Sequence, residues 1–181
     1  MSHPSYPKPV VFFLAITCKN PESAKAKVFP RIFKYLGNPS FVSRVFDFSS
    51  FTSYYQKEMG TDLKKFFVFF EKLKSPEFLI DLKHISYKLE KALWIAPNKR
   101  GVNLDPGYLC LSKIILATFK DFSHRIYLGK GVFAEVTLMF KQGDFTGLPW
   151  TYPDYLQPWV LEFFKRVRNW YKDRLKDFKC W

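Results

Sequence analysis

Cysteine and histidine are scarce in this chain of 181 residues, with three of each, and glycine is rare at eight. The cysteines Cys18, Cys110 and Cys180 are odd in number, far apart and without paired spacing. That pattern excludes a disulfide framework and a thiolate metal cage, and it points to a reducing cytoplasm. The histidines form no H-E-x-x-H pattern, so no metal site is expected, and nothing in the chain implies a cofactor. Glycine supplies no G-x-x-x-x-G-K-[ST] phosphate loop. Long apolar runs are missing too. The one near the N-terminus, Val10 to Ile16, is too short to span a bilayer and is badly flanked for a signal peptide, so no membrane segment is expected. No linker, repeat or low-complexity stretch divides the sequence, which reads as one domain over residues 1–181.

Positive charge and aromatic rings are plentiful. Lys and Arg number 29 against 16 Asp and Glu, a net charge of +13, and aromatics make up 20% of the residues. With 48% hydrophobic residues, a disordered chain is excluded.

The run Val10–Ile16 is apolar at every position and predicts a strand buried on both faces. Asn20-Pro21 then caps and opens a helix, with Ala24, Val28, Ile32 and Leu36 on one stripe and Gly37 after its end. Pro30 should kink or split that helix. Val42 to Ser49 reads as a second strand and Phe66–Phe70 as a third, again apolar throughout. Ser75-Pro76 opens a second helix carrying Leu79, Leu82, Ile85, Leu89 and Leu93. Pro97 to Gly107 reads as a loop whose end, Asp105-Pro106-Gly107-Tyr108, has the type II turn pattern, and Leu109 to Thr118 reads as a fourth strand. The order β-α-β-β-α-β is that of a ferredoxin-like core, in which the first and third strands are adjacent and central.

An added hairpin follows, His124–Leu128 and Val132–Phe140, around Gly129-Lys130-Gly131. The alternation opposes Arg125 to Glu135, Ile126 to Ala134 and Leu128 to Val132, and places Ile126, Leu128, Val132, Ala134, Val136 and Leu138 on one buried face. The same register puts His124 and Glu135 on opposite faces. A C-terminal helix opens at Pro158, with Val160, Phe164, Val167, Tyr171, Leu175 and Phe178 as its stripe. The fold class is therefore α+β: a ferredoxin-like core, a hairpin and a C-terminal helix.

The segment Arg100–Leu109, together with Lys113–Thr118, Ser123–Leu128, Ala134–Leu138, Trp150–Tyr155 and Tyr54-Tyr55 to Glu58-Met59-Gly60, resembles a bacterial family known only as a domain of unknown function. The resemblance covers nearly the whole chain. Members are sometimes labelled GTP-binding, but Gly129-Lys130-Gly131 reads as a hairpin turn and not as a phosphate loop, so the resemblance implies no mechanism.

The same segments are dense in reactive side chains. Arg100, Lys120 and Arg125 suit an anion, and the Arg125 fork can bind one bidentately. Asn103, Asp105, Tyr108, Tyr127, Glu135, Trp150, Tyr152 and Asp154 complete a candidate binding set, with Glu135 orienting Arg125. Asp121 and His124 are the proton-transfer candidates. The 105–107 turn, the Lys120–Arg125 segment and the Trp150–Tyr155 loop are expected to converge on one ligand. The expected function is binding of, and acid–base chemistry on, a small anionic ligand such as a nucleotide or phosphoester. The rival reading is an RNA-binding module, suggested by the net charge and by aromatic strands. A scaffold without ligand is the third.

Overall fold

The computed structural model describes residues 3–97 and 99–177. Phe178, Lys179 and Cys180 lie outside the described residues, so the helix stripe is followed here only to Leu175. The elements in chain order are β1 (Val10–Cys18), α1 (Pro21–Leu36), β2 (Pro39–Val42), β3 (Phe46–Asp47), α2 (Gln56–Met59), β4 (Lys64–Lys74), α3 (Phe78–Ala92), β5 (Trp94–Ala96) and β6 (Lys99–Arg100). They continue with β7 (Val102–Leu109), β8 (Lys113–Thr118), β9 (Ile126–Gly129), β10 (Val132–Lys141), β11 (Asp144–Gly147), a 3-10 turn (Pro153–Leu156) and α4 (Pro158–Arg174).

The fold is mixed α+β, built on a large antiparallel sheet of order β11-β10-β8-β7-β1-β4-β2, with β3 also on β4 and β9 also on β10. β1 and β4 are adjacent and internal, and every residue of β1 is buried. Two layers explain why. Phe12, Leu14, Ile16, Phe66, Val68 and Phe70 face α1 and α3. Val11, Phe13, Ala15, Phe67 and Phe69 face α4, which docks through Val160, Phe164, Val167 and Tyr171. Each such side chain contributes roughly 1.5–3 kcal/mol by leaving water, so the two apolar runs hold the molecule together from its centre. The Asn20 side chain accepts the Ser23 N–H at 3.0 Å to cap α1. Pro30 lies inside α1, which runs on to Leu36 without splitting.

Three sequence expectations are corrected. The second strand is two short pieces, because Ser43 breaks the ladder: its Oγ accepts the Phe67 N–H and its own N–H goes to the Phe67 carbonyl, each at 2.9 Å. Asp105-Pro106-Gly107 is no turn. It lies within β7, and the reversal falls at Cys110–Ser112, where the Cys110 N–H meets the Lys113 carbonyl. Proline is tolerated there because β7 pairs with β8 only from Gly107 onward. Gly107 serves a close approach: a Cβ would stand 2.6 Å from the Phe13 ring and collide with the Ile115 carbonyl. The expected fourth strand is thus the two strands β7 and β8.

The hairpin pairs Ile126 with Ala134 as expected, but Gly129 and not Leu128 stands opposite Val132. Gly129, Lys130 and Gly131 all have positive φ and form the turn. The one-face assignment fails at both ends. Ile126 and Leu128 are exposed, since β9 overhangs the sheet. A bulge between Val136 and Leu138 turns Leu138 to the α4 face, away from Val132 and Ala134.

Candidate functional site

The sheet opens between β7 and β8. β7 pairs with β1 along its whole length, yet with β8 only at Gly107, Tyr108 and Leu109. Before Gly107, β7 has backbone groups with no strand to meet. Pro106 has no N–H to place, and the Leu104 N–H is taken by the Glu90 carboxylate of α3 at 2.6 Å. A buried backbone donor without a partner costs about 1–3 kcal/mol, so a carboxylate in this position replaces a missing strand. A cavity of about 650 Å³ lies at the opening, with α3 and the end of β8 on one side and the Phe48–Glu58 segment and the 3-10 turn on the other.

The bulge in β10 supplies the last wall. It frees carbonyls of β10, and two of them anchor the following loop: Trp150 Nε1 donates to Val136 at 2.8 Å and Thr151 Oγ1 to Thr137 at 2.6 Å. The 3-10 turn then begins two residues later and, with Tyr152 just before it, carries Asp154 and Tyr155 to the cavity. Phe48, Met59 and Leu63 pack as a small separate cluster that holds the opposite segment in place.

Polar groups on these walls form three networks. In the first, the Arg100 guanidinium grips Glu58 bidentately, both bonds 2.6 Å, and donates to Asn103 Oδ1 at 2.5 Å. Asn103 passes on to Asp105 at 2.7 Å, with Lys83 3.6 Å from Asp105 on its other oxygen. In the second, Lys65 and Asp154 meet at 2.6 Å, both side chains almost wholly buried. The Lys65 ammonium also stands 4.6 Å and 4.9 Å from the ring centres of Phe48 and Tyr155. In the third, Glu135 Oε2 accepts from Arg125 at 2.9 Å and contacts His124 Nε2 at 3.1 Å. Arg125 also donates to the Lys120 carbonyl at 3.1 Å and to the Tyr152 hydroxyl at 3.2 Å.

Burial shapes the titration of these groups. It lifts the Glu90 carboxyl to about 7, against the Leu104 N–H and the Lys83 charge, which favour the anion. Burial works against the Arg100 charge, but the Glu58 hydrogen bond and the Glu90 charge outweigh it and raise its pKa. The hydroxyls of Tyr55, Tyr152 and Tyr155 are all pushed up, foremost by burial, so these groups stay protonated donors.

The structure brings Arg100, Asn103, Asp105 and Lys120 to this cavity. Arg125, Glu135, Tyr152 and Asp154 join them, so the three sequence segments do meet. His124 sits behind Glu135, with its ring stacked on Trp150 at 4.9 Å and 9°. It meets Glu135 despite the register that set them on opposite faces, because His124 precedes β9 and escapes the strand alternation. Tyr108 packs on Phe12 at the far face of the sheet. Tyr127 stays on the hairpin, where its hydroxyl accepts the Gly131 N–H. Asp121 is exposed on the connection between β8 and β9. Among the described residues no three acids, cysteines or histidines group closely enough to hold a metal ion.

The sequence reading missed Glu58, Lys65, Lys83 and Glu90. A signal existed for two of them. Leu79, Leu82, Lys83, Ser86 and Glu90 share the buried face of α3, so two charges lie on an apolar stripe.

The family model described as a domain of unknown function (DUF4416) matches residues 8–171. No curated protein and no solved structure matches the chain.

Proposed function

The chain belongs to the family of that domain of unknown function, which names no chemistry, and we propose from the site itself that it binds a small anionic ligand with a planar part, a nucleotide or a related phosphoester. One observation carries this reading: two cations without acidic partners stand at an aromatic mouth. Lys91 lies 5.1 Å and 5.8 Å from the ring centres of Tyr87 and Trp94, and Lys120 lies 4.5 Å from that of Tyr54. Neither lysine makes an ion pair among the described residues. Deeper in the cavity, Arg100, Lys65 and Arg125 are held by Glu58, Asp154 and Glu135. An anion is therefore met at the mouth, and the rings suit the face of a planar group.

Proton transfer, in this reading, falls to Glu90 and not to Asp121 or His124. Glu90 lines the cavity with a pKa of about 7, which suits general acid–base work near neutrality. RNA binding on the sheet finds no such support, since Phe67 and Phe69 lie under α4. We further read β7-β1-β4-β2, with α1 and α3 on one face, as a ferredoxin-like core, on the support of that strand order. A cytoplasmic location fits Cys18 and Cys110, which are unpaired among the described residues. No helix among the described residues is long and apolar enough to cross a membrane.

Calorimetric titration with inorganic phosphate, ribose phosphate, AMP and GMP tests the proposal. Binding of a phosphate-bearing probe that weakens about tenfold in Lys91→Ala or Lys120→Ala is expected. Absence of binding by all four probes, with salt-dependent binding of RNA instead, rejects it.

A further inference from the structure

Two polar atoms at the cavity have no partner. Glu135 Oε1 and the Tyr155 hydroxyl are buried and make no hydrogen bond among the described residues, although both side chains line the cavity. The Glu135 side chain is 2% exposed, and Tyr155 is 1% exposed. Buried polar groups are almost always satisfied, and two orphans in one cavity call for an occupant.

Their chemistry defines what would satisfy them. The other carboxylate oxygen of Glu135, Oε2, is already taken by Arg125 and His124. In the ion pair with Arg125, Oε1 is the oxygen left over as an acceptor. It lies on the row Phe69, Phe13, Gly107, Leu116, Glu135 across five strands, an apolar row whose last member is charged. The Tyr155 hydroxyl, kept protonated by burial, both donates and accepts. The pair does not suit a phosphate: the Glu135 carboxylate repels it, and the lysines without acidic partners are at the mouth.

We infer that the inner end of the cavity is a recognition subsite for a hydrogen-bond donor, so that the ligand enters with its anionic group at Lys91 and Lys120 and presents an N–H-bearing head, such as the amino edge of a nucleobase, to Glu135 Oε1 and Tyr155. This rests on the anionic-ligand reading and adds polarity to it. The ligand is two-ended: acceptor-rich outside, donor-bearing inside.

Glu135→Gln inverts one atom. Arg125 requires an oxygen, so the amide oxygen stays at the Oε2 position and the NH2 takes the place of Oε1. The test compares AMP and CMP, which carry an amino group, with purine riboside monophosphate, which has the same phosphate and sugar but no base N–H. The wild type is expected to bind the better amino-bearing probe about tenfold more tightly than the donor-free one, and Glu135→Gln to lose that preference while retaining affinity for inorganic phosphate. Tyr155→Phe keeps the inference falsifiable if Glu135→Gln fails to fold. Removing an unpartnered buried hydroxyl should leave the melting temperature unchanged or raised, yet weaken the amino-bearing probe.

Equal binding of amino-bearing and donor-free probes by the wild type overturns the donor subsite while leaving the anionic reading intact. So does a preference that survives Glu135→Gln, or a Tyr155→Phe variant that melts lower. Failure of every phosphate-bearing probe overturns both readings, and Lys120→Ala separates them, since it should weaken all probes alike.

Discussion

Glu90 completes the hydrogen bonding of a strand from a helix: its Oε1 accepts the Leu104 N–H at 2.6 Å, where the ladder to β8 has already ended. The same carboxyl is the one that burial raises to about 7 from its ordinary 4.5. An acid whose pKa rises on folding binds its proton more tightly in the folded state. Stability is therefore highest below the unfolded value and falls as pH climbs from about 4.5 to about 7. The fall is on the order of 3 kcal/mol from this group. Chemical denaturation across that window should show it, and Glu90→Gln should flatten the profile. An unchanged profile in the variant assigns the slope to other groups.

Arg125→Ala should destabilise the protein by about 3–5 kcal/mol, because it leaves Glu135 buried with a charge and no guanidinium. The double variant Arg125→Leu with Glu135→Leu should recover much of that loss. Denaturant midpoints for Arg125→Leu, Glu135→Leu and the double give the coupling directly. Additive losses would mean that the pair is not coupled.

Asp154→Ala strands the Lys65 ammonium among Phe48, Phe67 and Tyr155, where almost no water reaches it. A loss of about 3–5 kcal/mol is expected. Lys65→Met with Asp154→Leu should be far milder. A single variant as stable as the wild type would show that solvent reaches this pair.

Gly107→Ala tests the approach of β7 to Phe13. The backbone there is not left-handed, so the cost is steric: the new methyl meets the Phe13 ring and the Ile115 carbonyl. A loss of about 1–3 kcal/mol is expected in thermal or denaturant unfolding. A neutral substitution would mean that β8 shifts freely.

Much of this architecture was legible in the sequence where burial is symmetric. β1 and the apolar run of β4 declare themselves because a strand covered on both faces tolerates no polar residue. Arg125 facing Glu135 was legible from alternation. β7 was not, since Asp105-Pro106-Gly107 has turn chemistry; only its half-paired state, invisible in sequence, makes proline acceptable there. Leu138 was misplaced for a similar reason, because no residue type announces the bulge before it. Lys83 and Glu90 were passed over because charges on a helix are ordinarily solvated, whereas here both lie on the face that packs toward β7.

The seam of three residue pairs between β7 and β8 has a mechanical meaning. Among the described residues it is the only ladder of the sheet joining the block β7-β1-β4-β2 to the block β8-β10-β11. Asp105 stands on one block and Glu135 on the other, and both face the cavity. A molecule touching the two would act as a staple across the short seam between these blocks. Occupancy would then be readable without any chemistry, as slowed exchange of the amide hydrogens along that seam.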